Sequence, residues 1–266
     1  MALWAVDCHV HLYEAYDIDL AVRSAWNNVK LQDGTVPYGQ CWCLAAPPGT
    51  NGLDTTKLMV KQQSSKIRIV EIQDSADGNY VVLERSEGPI LVVPGTQAIS
   101  TEGLEVLSLG AELPSIGPTS LLKLVERVQE TGGLPVVPWG VGKWFGRRGE
   151  LVSQLLKGAS PDDTLLLADN ANRPWWWPLP KLLREATDAG RTVVSGSDPL
   201  PIRGDEARIA SAGVYCSAES VATAWQQIRQ TLLTPNEREP KVYGESMSSV
   251  RFWRNQVLIR VAAGIS

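Results

Sequence analysis

Apolar residues along this chain fall into short blocks, and the spacing inside the blocks changes from strand-like to helix-like as the chain proceeds. Residues 2–8 form a short apolar stretch that leads directly into His9, the pattern of a buried strand with a polar tip. Blocks of similar length recur at 67–72, 80–83, 90–93, 106–109, 134–137, 164–167 and 192–194. The first two of these flank Ala76-Asp77-Gly78-Asn79, where Gly and Asn accept the positive φ of a tight turn, so a β-hairpin is expected near residues 67–84. Helical spacing begins later. Leu121, Leu124, Val125 and Val128 recur at intervals of three and four, behind a cap at Thr119 or Ser120 and ahead of Gly132-Gly133. Leu182, Leu183 and Ala186 mark a second helix, closed by Gly190. Ser217 is placed to cap a third that carries Val221, Ala224, Trp225, Ile228 and Leu232 and stops before Pro235. A last helix covers 248–262. Residues 46–66, with Pro47-Pro48-Gly49, follow neither period and read as a loop region. Strands alternating with helices predict a parallel sheet with helices outside it, an arrangement that places chemistry at the carboxyl ends of strands.

Composition narrows the class. With 266 residues, 44% of them hydrophobic and 20% charged, the chain can bury a sizeable core and is not a disordered segment. A barrel of alternating strands and helices runs to about 250 residues as one domain, so a single domain over 1–266 is expected. The net charge of -4 argues against broad adhesion to nucleic acid or to an anionic membrane surface. No apolar run approaches the roughly 18 residues of a membrane span, and the opening has no basic region ahead of an apolar stretch, so a cytoplasmic location is expected. Cys8, Cys41, Cys43 and Cys216 lack zinc-finger spacing and read as reduced, mostly buried thiols.

The chain contains 2 histidines, and both stand in Asp7-Cys8-His9-Val10-His11 at the end of the first strand. Residues two apart in a strand project to the same face, so His9 and His11 can reach one cation. A second apolar strand ends in Ser195-Gly196-Ser197-Asp198, with Gly196 permitting close backbone packing and Asp198 emerging at the same rim. Two imidazoles and a carboxylate leave a tetrahedral ion one open position. For Asp198 alone, a turn or helix-cap role is the competing reading. Trp139-Gly140-Val141-Gly142-Lys143-Trp144-Phe145-Gly146-Arg147-Arg148 is a glycine-rich, basic, aromatic loop whose Lys143 and Arg148 can bind an anion, or which simply covers the surface with its tryptophans in the core. Asp169-Asn170-Ala171-Asn172-Arg173 also follows a strand; Asp169 is a candidate general base and Arg173 a candidate substrate grip, with capping and surface pairing the alternatives. Trp175-Trp176-Trp177 can stack on a ligand, cover a cleft or pack in the core.

The opening DCHVHLY, the stretch GPILVVPGTQAISTEGLEVLSLG at 88–110, GGLPVVPWG at 132–140 and VVSGSDPLP at 193–201 occur in the order of the motifs of the polymerase and histidinol phosphatase (PHP) domains. The chain resembles that family over most of its length. The resemblance implies a distorted (β/α)7, TIM-like barrel with up to three metal ions and hydrolytic, usually phosphoester, chemistry. Gln97 stands where the family has a bridging glutamate, Trp139 where it has a histidine ligand, and Leu200 where a histidine follows the closing aspartate. His9, His11 and Asp198 remain, the nucleus of one metal position. A neutral Gln97 offers one weak oxygen and Trp139 no lone pair, so a two-metal mechanism is not expected.

The function expected is therefore a mononuclear hydrolase dependent on a divalent metal, zinc or manganese, acting on a small anionic substrate such as a phosphoester, with neither nucleic acid nor membrane as partner. In it His9, His11 and Asp198 hold the ion, Asp169 acts as base, and Lys143, Arg148 and Arg173 bind negative charge. An amidohydrolase-type barrel also begins with His-x-His and ends with an aspartate. The other reading is a catalytically inactive PHP-like protein that uses the old mouth as a binding or interaction module.

Overall fold

A computed structural model describes residues 1–29, 34–74, 78–158, 164–234, 241–244 and 247–264. β1 (Ala2–Val10) is followed by α1 (Ile18–Asn28), β2 (Gly39–Leu44) and α2 (Gly52–Gln63). Five strands then succeed one another without a helix between them: β3 (Arg68–Asp74), β4 (Gly78–Arg85), β5 (Gly88–Val93), β6 (Gly95–Ile99) and β7 (Glu105–Leu109). Helices alternate with strands from α3 (Leu121–Glu130) through β8 (Leu134–Pro138), α4 (Arg147–Gly158), β9 (Leu166–Asn170), α5 (Lys181–Asp188) and β10 (Val193–Gly196). A single 3-10 turn over Asp205–Arg208 leads to β11 (Ala212–Ala218), α6 (Ala224–Leu233), β12 (Lys241–Gly244) and α7 (Ser249–Gly264). No helix among the described residues is long and apolar enough to cross a membrane.

The expected (β/α)7 barrel does not form. The strands pair into two open sheets, one of seven strands in the order β12-β11-β1-β2-β5-β4-β3 and one of five in the order β10-β9-β8-β7-β6. The physical reason lies in the connections. Closing a (β/α) barrel needs parallel neighbours joined by helical crossovers, whereas β3–β4–β5 and β6–β7–β8 pair antiparallel, as does β1 with β11. Among the named strands, parallel pairs link β1–β2–β5 and β8–β9–β10, with isolated parallel bridges at Ala46–Thr96 and Pro174–Met247. β3 and β4 make the hairpin, from Arg68 opposite Glu84 to Asp74 opposite Gly78; residues 75–77 of the expected turn lie outside those described.

Three apolar clusters hold the layers. One takes side chains from both sheets, with Trp4, Val6, Cys8, Cys41 and Cys43 on one side and Leu107, Leu109, Leu134, Val136, Leu166 and Val194 on the other, so it fills the space between them. All four cysteines are buried in it and unpaired. The second packs α1 and α2 on the seven-stranded sheet through Ile18, Ala21, Val22, Ala25, Leu53 and Val60. The third packs α3, α4 and α5 on the five-stranded sheet through Leu121, Leu124, Val125, Val128, Val152, Leu183 and Ala186.

Two local expectations need correction. The stretch 46–66 contains α2, whose start is capped by Asn51 accepting from Asp54 N at 2.9 Å, with Glu112 taking the Gly52 N–H at 2.8 Å. Its buried face includes Thr56 among Leu53, Met59 and Val60, and a threonine on the apolar stripe hides the period. Ser217 caps no helix: it lies within β11, paired with Leu3 of β1, and α6 begins seven residues later at Ala224.

Candidate metal centre

Four side chains from three distant stretches of sequence meet where the two sheets approach one another. His9 and His11 come from the carboxyl end of β1, where the register against β2 shifts between Asp7 and Val10, an irregularity that re-aims a strand end. Gln97 comes from the middle of β6, whose backbone docks on the end of β2 through Ala46 N to Gly95 O (3.1 Å) and Gln97 N to Ala46 O (2.9 Å). Asp198 follows β10, and its backbone N–H donates to His9 O at 2.9 Å.

His9 Nε2 and His11 Nε2 are 3.1 Å apart; Asp198 Oδ1 lies 3.5 Å from the first and 3.7 Å from the second. These three residues form a group that could hold a metal ion, with one ligand atom from each, all within 4.8 Å of one another. The donor chemistry fits a borderline-soft divalent cation, since two imidazole nitrogens and one carboxylate oxygen are the ligand types of zinc sites. Gln97 Oε1 faces the same point, 2.7 Å from His9 Nε2 and 3.1 Å from His11 Nε2.

Burial, then the proximity of His9, lowers the His11 pKa to about 4, against opposing contributions from Asp198, Gln97 and the Ala45 backbone. His11 is therefore neutral at neutral pH, with a lone pair free to ligate. Burial alone would raise the Asp198 carboxyl; the imidazoles of His9 and His11, the Lys143 charge and the Asn172 hydrogen bond outweigh it and hold the carboxyl below its ordinary range.

The surroundings of Asp198 orient it. Its φ of 45° is a left-handed conformation uncommon for a residue other than glycine. Asn170 Nδ2 (3.1 Å) and Asn172 Nδ2 (2.9 Å) both donate to Oδ2, which leaves Oδ1 turned to the imidazoles, and Arg208 Nη1 in turn donates to Asn172 Oδ1 at 2.7 Å. Sequence reading sets Asn170 at the same rim as Asp169 and Arg173 but gives neither it nor Asn172 a role, because an Asn-rich stretch after a strand looks like a turn. Asp7 was missed as well: its carboxylate, fully buried, accepts from His9 N (3.1 Å), Ser197 N (2.9 Å) and Ala210 N (2.8 Å), tying β1 to the segments after β10. Among the described residues His9 Nδ1 has no hydrogen-bond partner, so the outer support goes to His11 and Asp198 rather than to His9.

The other candidate residues are distributed differently. Asp169 is held bidentate by Arg173 (Nε to Oδ1 3.1 Å, to Oδ2 2.9 Å), and Arg173 Nη1 donates to Trp177 O at 2.5 Å. Adjacent strand residues point to opposite faces; Asn170 reaches Asp198, so Asp169 faces away from it. Lys143 pairs with Glu105 at the start of β7, and its charge is felt at Asp198. Arg148 Nη2 donates to Gly142 O at 2.8 Å. Trp139 is buried against Trp177 with ring centroids 5.9 Å apart, and the Leu200 carbonyl accepts from the Tyr16 hydroxyl. Trp175 and Trp176 are exposed. Beside His11 and Gln97 opens a cleft of about 620 Å³, walled by Leu12, Tyr13, Pro47, Pro48, Ala98 and Ile99 and lined, among the described residues, by no lysine or arginine.

Gly196 is required by the close approach of β10 to β1. A Cβ there would lie 2.5 Å from His9 Cβ and 2.6 Å from His9 N. Gly196→Ala is expected to force the two strands apart, with a loss of about 1–3 kcal/mol of stability and weaker zinc binding. A urea midpoint and a zinc affinity equal to the parent's would refute this.

No known family's sequence model matches the chain, and no curated protein matches it. Solved structures that resemble it include PsfC from Pseudomonas syringae PB-5123, at a TM-score of 0.50 and 14% identity over 99% of this chain and 100% of that one. They also include the lesion-specific endonuclease PfuEndoQ from Pyrococcus furiosus, at a TM-score of 0.51 and 11% identity over 90% of this chain and 57% of that one. At such identities the likeness concerns the fold alone.

Proposed function

We propose that this chain is a PHP-like, metal-dependent hydrolase that holds one divalent cation, zinc or manganese, between His9, His11 and Asp198 and acts on a small anionic substrate such as a phosphoester. The observation that carries the reading is the convergence of two imidazole nitrogens and one carboxylate oxygen from opposite ends of the polypeptide. When bound, such a cation supplies Lewis acidity and eases ionisation of water. The chain's own residues do the rest. Asn170 and Asn172 orient the carboxylate, and Lys143, positioned by Glu105 and close enough to influence Asp198, is the group assigned to a substrate's anionic oxygen. Asp169, Arg148 and Arg173 satisfy one another or nearby carbonyls, so the proposal gives them no step.

PfuEndoQ acts on damaged nucleic acid by its description, and a hydrolase reading is in keeping with that likeness. The net charge of -4 and a cleft without lysine or arginine among the described residues favour a small substrate over a polynucleotide for this chain. Trp139 and Leu200, which offer no ligand atoms beside the site, favour the second reading, a binding module that no longer catalyses.

Protein purified without chelator and incubated with zinc or manganese is expected to retain close to one equivalent, lost on chelation, and to hydrolyse members of a phosphatase and esterase panel that His11→Ala does not. Metal content below about a tenth of an equivalent would sink the hydrolase reading and leave the binding module. Full occupancy with no turnover in the panel would select the binding module.

A further inference from the structure

The contacts among His9, His11 and Gln97 cannot all be hydrogen bonds at once. His9 Nε2, His11 Nε2 and Gln97 Oε1 form a triangle with sides of 2.7, 3.1 and 3.1 Å. An amide oxygen only accepts, and each imidazole Nε2 carries at most one proton. If both Nε2 atoms are protonated, two donors face one another at 3.1 Å. If either is not, it presents a bare lone pair to Gln97 Oε1 at 2.7 or 3.1 Å. No placement of the protons satisfies all three contacts, and Asp198 Oδ1 adds a further acceptor at 3.5 and 3.7 Å. Buried acceptors turned towards one another repel unless a positive charge lies among them.

We infer that Gln97 Oε1 is the fourth donor of the metal centre beside two imidazoles and one carboxylate, a neutral ligand that yields its position to water or substrate. This rests on the proposed metal site and deepens it. The geometry agrees with the assignment: four ligands about 2.0–2.1 Å from zinc stand about 3.3–3.4 Å from one another in a regular tetrahedron. Five of the separations among these donor atoms run from 2.7 to 3.7 Å around that value. Gln97 reaches the point because its strand is pinned on both sides, by Gln97 N to Ala46 O and by pairing with Leu107 of β7. It is also the weakest of the four donors and, with His11, the one that borders the apolar cleft, so it is the ligand an incoming group meets.

A competing role exists for the same side chain. With its amide turned over, Gln97 would donate from Nε2 to both imidazoles and serve as a clamp in the absence of metal. The two roles predict opposite responses to a carboxylate. Cobalt(II), which reports coordination number through its visible bands, is the probe, added alone to the full-length protein and to Gln97→Glu and Gln97→Leu. The fourth-donor role expects intense four-coordinate bands for the parent, at least about tenfold tighter binding for Gln97→Glu, and about 10–100-fold weaker binding with fainter bands for Gln97→Leu. Parent-like affinity and spectrum in Gln97→Leu, or weaker binding in Gln97→Glu, would overturn the role of Gln97 while leaving the three-residue site standing. No cobalt bound to the parent would overturn both. Should Gln97→Leu fail to fold, the isosteric Gln97→Glu decides alone.

Discussion

Asp198→Asn is expected to lose at least about two orders of magnitude in zinc affinity, at or beyond the upper end of the roughly 10–100-fold cost of removing an outer-shell partner, while the fold stays intact. The substitution is nearly isosteric, and asparagine tolerates the left-handed conformation that Asp198 adopts at φ 45°. What changes is which atom faces the imidazoles. Asn170 Nδ2 and Asn172 Nδ2 both donate to Oδ2, so an asparagine must keep its oxygen on that side; turning it over would set its NH2 against two other NH2 groups. The amide nitrogen then occupies the position of Oδ1, 3.5 and 3.7 Å from His9 and His11 Nε2, and it has neither charge nor a lone pair to give. Calorimetric titration with zinc at neutral pH measures the loss, and a urea midpoint close to the parent's shows that the chain still folds. Zinc binding within a few-fold of the parent would mean that Asp198 is a turn residue and no ligand.

The part of this site legible in the sequence is the part written in local spacing. His9 and His11 announce themselves because two positions in a strand share a face and because no other histidine competes. Asp198 was legible as a polar residue closing an apolar block. Gln97 was marked through the resemblance, but that it faces the imidazoles was not legible, nor were the contacts of Asn170 and Asn172, since these arise from pairings between segments dozens of residues apart. The same limit explains the barrel. Blocks of apolar residues locate strands well, but the order and direction in which β3 to β7 pair depend on connection geometry, and a chain with five successive strands cannot use helical crossovers there. The resemblance that suggested a closed barrel rested on motifs at strand ends, and those ends can meet between two open sheets as well as at a barrel mouth.

Asp7 lies two residues before this legible pair and gave no signal at all, yet Asp7→Ala is expected to be among the most damaging single changes for the fold. Its carboxylate accepts the backbone N–H groups of His9, Ser197 and Ala210, and Ala210 itself holds a left-handed φ of 60°. Three buried donors left without partners cost about 1–3 kcal/mol each. Against this stands the relief of no longer burying a carboxylate. Burial pushes the Asp7 pKa from 3.8 up to about 6, with the hydrogen bonds of Ser197, His9 and Ala210 opposing it. That shift corresponds to about 3 kcal/mol at full ionisation. A net loss centred near about 3 kcal/mol at neutral pH follows, within a range of about 0–6 kcal/mol. The pH dependence gives an independent check. A carboxyl whose folded pKa lies above its unfolded value binds more protons when folded, so its contribution is complete below about pH 4 and disappears as pH rises through about 6. The alanine variant lacks this contribution at every pH. The stability gap between parent and Asp7→Ala should therefore be about 1–2 kcal/mol wider at pH 5 than at pH 7.5, with the titrations of all other groups cancelling in the difference. Urea unfolding of both proteins at the two pH values measures it, and a gap that stays constant or narrows towards acid pH would show that Asp7 is ionised throughout and that its three hydrogen bonds outweigh its burial.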